Sequence, residues 1–158
     1  MIENVDRYIS VFDFAGAVLC IHPEVSYHPI RTLQLIRDKG ARPGIALDPA
    51  LPVDRIKPML PYVELICVMT VNPGYTGQKL IPATLDKITG LRRLIDREKL
   101  SIELEVDGNV SWENIPRMVK AGAEVLVAGT SSIFDTSGSR RDNIQRLQGL
   151  MSALVRET

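Results

Sequence analysis

The apolar positions of this chain fall into two kinds of segment that alternate from end to end. One kind is a short, largely apolar run: Ala17 to Ile21, Pro43 to Leu47, Leu65 to Val71, Ile102 to Val106 (where Glu103 and Glu105 alternate with apolar residues) and Val125 to Ala128. Such runs read as strands buried on both faces. The other kind repeats its apolar residues every three or four positions and reads as helix. Val5 to Ala15 places Val5, Ile9 and Phe12 on one face, and Pro29 to Lys39 turns Ile30, Leu33, Leu35 and Ile36 inward before Gly40 stops it. A short helix around Val53 to Leu60, a long one over Ala83 to Glu98, a third over Trp112 to Ala121 and a closing amphipathic helix over Asn143 to Arg156 complete the series.

Strict alternation of strand and helix predicts parallel strands joined by right-handed crossovers. Two architectures share that pattern, an open doubly wound sheet and a (β/α)8 barrel. The strands start about 27 residues apart, so eight units would need roughly 215 residues, within the usual span of a small barrel. This chain has 158 residues. Five strands are too few to close a barrel and enough for a doubly wound sheet, so the pattern alone leaves both open.

Composition narrows the function classes. Nineteen basic and nineteen acidic residues cancel, which removes any general pull toward nucleic acid or an acidic membrane surface. Aromatic content of 5% argues against a stacking platform for single-stranded nucleic acid. No apolar run approaches the ~20 residues of a membrane span, and no signal peptide precedes the first helix. Cys20 and Cys67 lie inside strand-like runs and are expected reduced and buried, as in a cytoplasmic protein. The chain has no P-loop, GxGxxG, CxxC pair or HExxH.

The chemistry gathers where the late strands end. Asp107 stands where ELEV meets Gly108. An acidic residue at a strand mouth serves as general base or metal ligand, or caps the next helix. After the third strand comes NPGYTGQ, in which Gly74 and Gly77 let backbone N–H groups turn toward an anion. After the fifth strand, Gly129, Thr130 and Ser131 offer backbone and hydroxyl donors of the kind that hold phosphate. One carboxylate and two donor loops at late strand ends point to a sugar-phosphate site. His22 and Glu24 leave the first strand and Asp48 the second, where hydrogen-bonded structural roles are the default. Met69 reads as core packing, and Arg92, Arg93, Asp96, Arg97 and Glu98 as a solvated helix face.

The segments VMTVNPGYTGQKLIP, EVDGNV and VLVAGTSSIF, in that order, together with HPIRTLQLIRDKGARPGIALDPA, resemble the ribulose-phosphate 3-epimerase family, including its hexulose-phosphate and allulose-6-phosphate relatives. IHPE and GTSS lean toward the hexulose-phosphate branch. The resemblance runs through nearly the whole chain and implies a partial (β/α)8 TIM barrel, the fourth to eighth strands, as one incomplete domain over residues 1–158. It implies a ketose-phosphate 3-epimerase, in which one carboxylate removes the C3 proton, a second returns one on the opposite face, and a divalent metal (zinc, or manganese, iron or cobalt) holds the enediolate. By matching motif, Asp107 is one acid/base carboxylate and a metal ligand. Gly77, Gly108, Gly129 and Thr130 fall where the family grips phosphate, and Met69 shields the enediolate.

The segment MIENVDRYI resembles the stretch just after the family's third strand, so the chain is expected to be truncated at its N-terminus. The strands before it carry the family's HxDxMDG-type motif, hence the second catalytic Asp and the other metal ligands. His22 and His28 match none of those positions, and one protein oxygen is a poor zinc site. The expected activity is therefore impaired. A partial barrel leaves unpaired parallel edges, for which a homo-oligomer is expected. The rival reading is a non-catalytic phosphate-binding or assembly module. A decarboxylase of the same superfamily needs a DxKxxD-like strand motif, and EVDGNV has no Lys at that spacing.

Overall fold

The computed structural model describes residues 2–11 and 16–156. Within them lie strands β1 (Val18–Ile21), β2 (Arg42–Leu47), β3 (Leu65–Met69), β4 (Glu103–Asp107) and β5 (Val125–Val127). Between and around these run helices α1 (Asp6–Ile9), α2 (Pro29–Asp38), α3 (Ala83–Arg97), α4 (Ile115–Lys120) and α5 (Arg140–Arg156).

Three of the helices return the chain to the sheet by one device. After α2 the N–H of Gly40 bonds the carbonyl of Arg37 and that of Ala41 the carbonyl of Ile36. The same pair of bonds closes α3, from Lys99 to Asp96 and Leu100 to Ile95, and α4, from Gly122 to Val119 and Ala123 to Met118. Each is a Schellman closure, which needs a residue in the left-handed region at its turn. Gly40, Lys99 and Gly122 have φ of +81°, +53° and +110°. A Cβ at Gly122 would also meet the stem of Arg92, its Cγ at 2.6 Å, so the next strand begins pressed against α3.

The strands lie in the order β1-β2-β3-β4-β5, every neighbouring pair parallel. A doubly wound sheet reverses its order at a switch point and carries helices on both faces. This sheet does neither among the described residues. Ile45 and Leu47, Ile66 and Val68, and Leu104 and Val106 join the helix residues Leu33, Ile36, Ile88, Leu91, Ile95, Ile115 and Met118 in one core. The opposite face holds a separate small cluster of Ala46, Leu65, Cys67 and Met69, with Cys20 against it and no helix residue among its members. Helices outside, a thin inner layer and sequential parallel order describe part of a (β/α)8 barrel.

The two ends of the strands differ in character. At the N-terminal end, Arg42 bonds Glu64 at 3.0 Å and Glu103 at 2.7 Å, tying β2 to the starts of β3 and β4. At the C-terminal end the chain leaves the sheet in loops, described below.

Several expected boundaries shift. The first helix runs only over Asp6–Ile9, with Ile9 buried; Phe12 and Ala15 lie outside the described residues. The helix expected over Val53 to Leu60 is two 3-10 turns, Val53–Arg55 and Lys57–Tyr62. Pro58 and Pro61 each lack the N–H that a continued α-helix would use. The helix after β4 starts at Ile115 rather than Trp112, because residues 108–114 are spent in a hydrogen-bonded turn. Cys67 is buried and Cys20 half-buried, and both thiols are free. Burial pushes the Cys20 thiol up to about 12, with the nearby Glu105 carboxylate adding to it; the same causes raise Cys67 further. Arg92 is no solvated charge: it bonds Asp96 at 2.6 Å and Glu124 at 3.0 Å while its stem packs under Gly122.

Lys99 carries a side chain where the Schellman turn favours glycine. Lys99→Gly is expected to raise the unfolding free energy by about 0.5–1 kcal/mol in a urea titration with unchanged slope. A loss of stability would mean that the exposed Lys99 side chain makes a contact of its own.

Candidate active site

The C-terminal ends of β3, β4 and β5 surround a cleft of about 370 Å³. Its walls come from three places. The Gly-rich loop supplies Asn72, Gly74, Tyr75, Thr76, Gly77 and Gln78; the end of β4 supplies Asp107, Gly108, Asn109 and Val110. The end of β5 supplies Val127, Gly129, Thr130 and Ser131, and Met69 of β3 with Val71 just beyond it completes the lining. Every site residue expected from the sequence therefore meets in one cleft: Asp107, Met69, Gly74, Gly77, Gly108, Gly129, Thr130 and Ser131. The residues left aside, His22, Glu24 and Asp48, do not line it.

Register explains why Asp107 faces the cleft. Along β4, Leu104 and Val106 are buried among the helices, so Glu103, Glu105 and Asp107 take the inner face. Asp107 pairs with Met69 of β3 on one side and Val127 of β5 on the other. Desolvation beside these apolar neighbours raises the Asp107 carboxyl above the ordinary carboxylate range, and the Gly108 N–H bonded to it works in the opposite direction. It is the only formally charged side chain among those lining the cleft.

The β3 and β4 ends are stitched together by Thr70, which is fully buried. Its N–H donates to the Asp107 carbonyl at 2.7 Å, and its hydroxyl donates to the Gly108 carbonyl, with that of Asp107 at 3.1 Å. Gly108 makes this closeness possible. It sits at φ +112°, and a Cβ there would lie 2.5 Å from Val71 Cγ2 and 3.0 Å from the Val71 nitrogen.

The two donor loops are held from outside the cleft. Gln78 folds back so that its Nε2 donates to the carbonyls of Asn72 at 2.5 Å and Tyr75 at 3.0 Å, closing the Gly-rich loop on itself. In the loop after β5, the Gly129 carbonyl accepts the N–H groups of Ser132 and Phe134, each at 3.1 Å. The buried Asn143 of α5 donates to the carbonyls of Ile133 and Asp135, at 3.2 and 2.9 Å. Among the described residues no acceptor takes the N–H of Gly77, Gly129, Thr130 or Ser131. Among the described residues no Lys or Arg lines the cleft, so what it offers an anion is backbone dipoles rather than charge.

Sequence reasoning missed Thr70, Gln78 and Asn109. The Gly-Asn pair after Asp107 was the available signal for Asn109, since Asn tolerates the left-handed region and its φ is +43°. Thr70 and Gln78 act through contacts between segments, which spacing does not reveal.

Two glycines of the cleft should respond oppositely to a methyl group. Gly108→Ala combines a left-handed backbone with a collision against Val71 and is expected to cost about 2–4 kcal/mol. Around Gly129 nothing lies within 4 Å of an added Cβ, so Gly129→Ala should change stability by less than about 0.5 kcal/mol. Denaturant midpoints of the two variants decide; equal losses would mean that Gly129 is held for the fold and not for space in the cleft.

The model for the ribulose-phosphate 3 epimerase family matches residues 1–134. The chain is 45% identical over 136 residues to ribulose-phosphate 3-epimerase of Escherichia coli (strain K12), a match that takes in 85% of this chain and 60% of that protein. To the enzyme of Bacillus subtilis (strain 168) it is 42% identical over 151 residues, 94% of this chain and 69% of that one. The chain thus spans about three-fifths to two-thirds of the length of these relatives. Among solved structures, a mutant tryptophan synthase alpha-subunit from Pyrococcus furiosus superposes with a TM-score of 0.59 at 16% identity, over 81% of this chain and 50% of that one. Another mutant of the same subunit gives 0.57 at 18% identity, over 89% and 55%; at such identity the likeness concerns the fold alone. A strand-end carboxylate between two neutral donor loops, on a sequential parallel sheet whose sequence matches the family model over most of its length, places the chain in the ribulose-phosphate 3-epimerase family.

Proposed function

We propose that this chain, as one incomplete barrel domain, carries the phosphate-gripping half and one acid/base carboxylate of a ketose-phosphate 3-epimerase site. The observation that supports this most is the placement of Asp107, the cleft's single charged side chain, between loops whose backbone N–H groups are unpaired. The phosphate of a ribulose 5-phosphate or related hexulose 6-phosphate would take the N–H donors of Gly77, Gly129 and Thr130, with Gly74 and Gly108 shaping the loops around it and the Ser131 hydroxyl at its edge. Open space at the Gly129 Cβ position leaves room for the phosphate.

With the phosphate so anchored, Asp107 takes the C3 proton on one face of the sugar. The electron pair of that C–H bond moves into the adjoining carbonyl, giving an enediol(ate), and the proton rests on the Asp107 carboxyl. A carboxyl raised by desolvation is a stronger base than one in water and suits this step. Met69, 5% exposed, and Val127 keep an apolar wall beside the reacting carbons. Return of a proton from the same carboxylate restores the starting configuration; inversion needs a second acid on the opposite face, and no other carboxylate lines the cleft.

A divalent metal is part of what family resemblance implies. Among the described residues no three His, Cys, Asp or Glu side chains gather where they could hold an ion. A lone carboxylate does not meet the coordination that zinc requires, so the residues described here do not by themselves hold one. The same observation favours a second reading, in which the cradle binds phosphate esters without turning them over.

Solvent deuterium wash-in separates the two. Incubated in D2O with ribulose 5-phosphate or allulose 6-phosphate, the chain is expected to place deuterium at C3 without forming the C3 epimer. Asp107→Asn should slow that exchange by at least about 100-fold while leaving phosphate binding intact. Binding without exchange would select the phosphate-binding module. Exchange that persists in Asp107→Asn would remove Asp107 from the chemistry.

A further inference from the structure

Helix α5 reaches back to the loop that precedes it. Ser139 caps its start: the Ser139 hydroxyl accepts the N–H of Asp142 at 3.1 Å, and its carbonyl accepts that of Asn143 at 3.0 Å. Asn143 is 5% exposed, and its Nδ2 donates to the carbonyls of Ile133 at 3.2 Å and Asp135 at 2.9 Å. Carbonyls only accept, so this pair of bonds fixes which way the amide faces. Its Oδ1 packs at Gly138, where an added Cβ would come within 3.1 Å of it. The two carbonyls flank Phe134, whose own N–H donates to the Gly129 carbonyl at 3.1 Å. Asn143 therefore stands two hydrogen bonds from Gly129. One turn further along the same face of α5, the Arg146 guanidinium lies 4.2 Å from the centroid of the Trp112 ring, in the loop between β4 and α4. Asn143, Arg146 and Trp112 do not themselves line the cleft.

We infer that Asn143 is a positioning residue, through which α5 holds the loop after β5 in its binding arrangement from outside the cleft. The inference rests on the phosphate-binding reading above and extends it to a helix beyond residues 1–134, the part matched by the family model. Its physical basis is the cost of ordering. A loop that offers an anion backbone dipoles and no charge has only its arrangement to contribute. If the anion had to order that loop on arrival, the ordering would be subtracted from its affinity. Asn143 orders the loop beforehand: by gripping the carbonyls on both sides of Phe134 it keeps the Phe134 N–H on Gly129, at the head of the turn that carries Thr130 and Ser131. The stacking of Arg146 on Trp112 seats the same helix against the neighbouring loop, so the grip has a fixed support.

Three variants separate positioning from a general contribution to the fold. Asn143→Ala removes both donations. Asn143→Asp keeps the shape of the side chain and turns oxygens that cannot donate toward the same carbonyls; should it fail to fold, Asn143→Ala decides alone. Leu150→Ala is the control, since it thins the contact of α5 with the core and touches neither loop. The measurements are the affinity for inorganic phosphate, by calorimetric titration of the full chain, the urea midpoint, and the emission of Trp112. As the chain's single tryptophan, Trp112 reports whether α5 stays seated. Both Asn143 variants should weaken phosphate binding by about three- to tenfold, the cost of ordering a short loop on binding, with the emission unchanged. Leu150→Ala should lower the urea midpoint and leave the affinity as it was. Unchanged affinity in Asn143→Ala, an equal loss in Leu150→Ala, or a loss that comes only with a shift in Trp112 emission would overturn the positioning role and leave the phosphate site standing. Absence of phosphate binding by the unsubstituted chain would overturn the phosphate reading itself.

Discussion

The site depends on how closely the ends of β3 and β4 approach each other. Thr70 donates its N–H to Asp107 and its hydroxyl to the carbonyl of Gly108, and its own carbonyl accepts the N–H of Ile81 at 2.9 Å, where the Gly-rich loop rejoins the fold. One buried threonine thus ties the Asp107 end of β4 to the Gly-rich loop. The approach is possible only because Gly108 has no Cβ to place against Val71. A buried hydroxyl with its proton committed to a carbonyl is costly to disturb, so this stitch serves the fold and the cleft together.

A second constraint is dielectric. The inner face of β4 carries Glu103, Glu105 and Asp107, yet these three acids are treated differently by their neighbours. Glu103 is paired with Arg42 at the exposed N-terminal end. Glu105 lies beside the two thiols and raises both. Asp107 alone of the three lines the cleft, flanked by Met69 and Val127, and burial raises its carboxyl. Placement along one strand therefore separates the acid paired at the N-terminal end from the acid that lines the cleft, and the C-terminal strand ends are where a barrel carries its reactive groups.

Much of this arrangement was legible in the sequence. The apolar runs located every strand to within two residues, and Asp107, Gly77 and Gly129 stood out because they lie where the chain leaves a run for a loop. The choice between a doubly wound sheet and a barrel was not legible from alternation, since both give the same string of elements. It turns on spatial order and on which face the helices cover, and the resemblance had to supply it. Arg92 read as solvated because its periodicity puts it on the outer side of α3, whereas Gly122 leaves the hollow into which its stem packs. Asn109 and Thr70 escaped for a similar reason, their partners lying 29 and 38 residues away in the chain.

The central claim is that the loops after β3 and β5, with the turn after β4, form one anion cradle on this chain. Titrating inorganic phosphate into the 15N-labelled protein and following its backbone amides by NMR tests that most directly. The account predicts that the amides of Gly77, Gly108, Gly129 and Thr130 shift together with a single dissociation constant. Shifts confined to one loop, or centred on the Arg42 and Arg92 ion pairs at the opposite end of the strands, would contradict it.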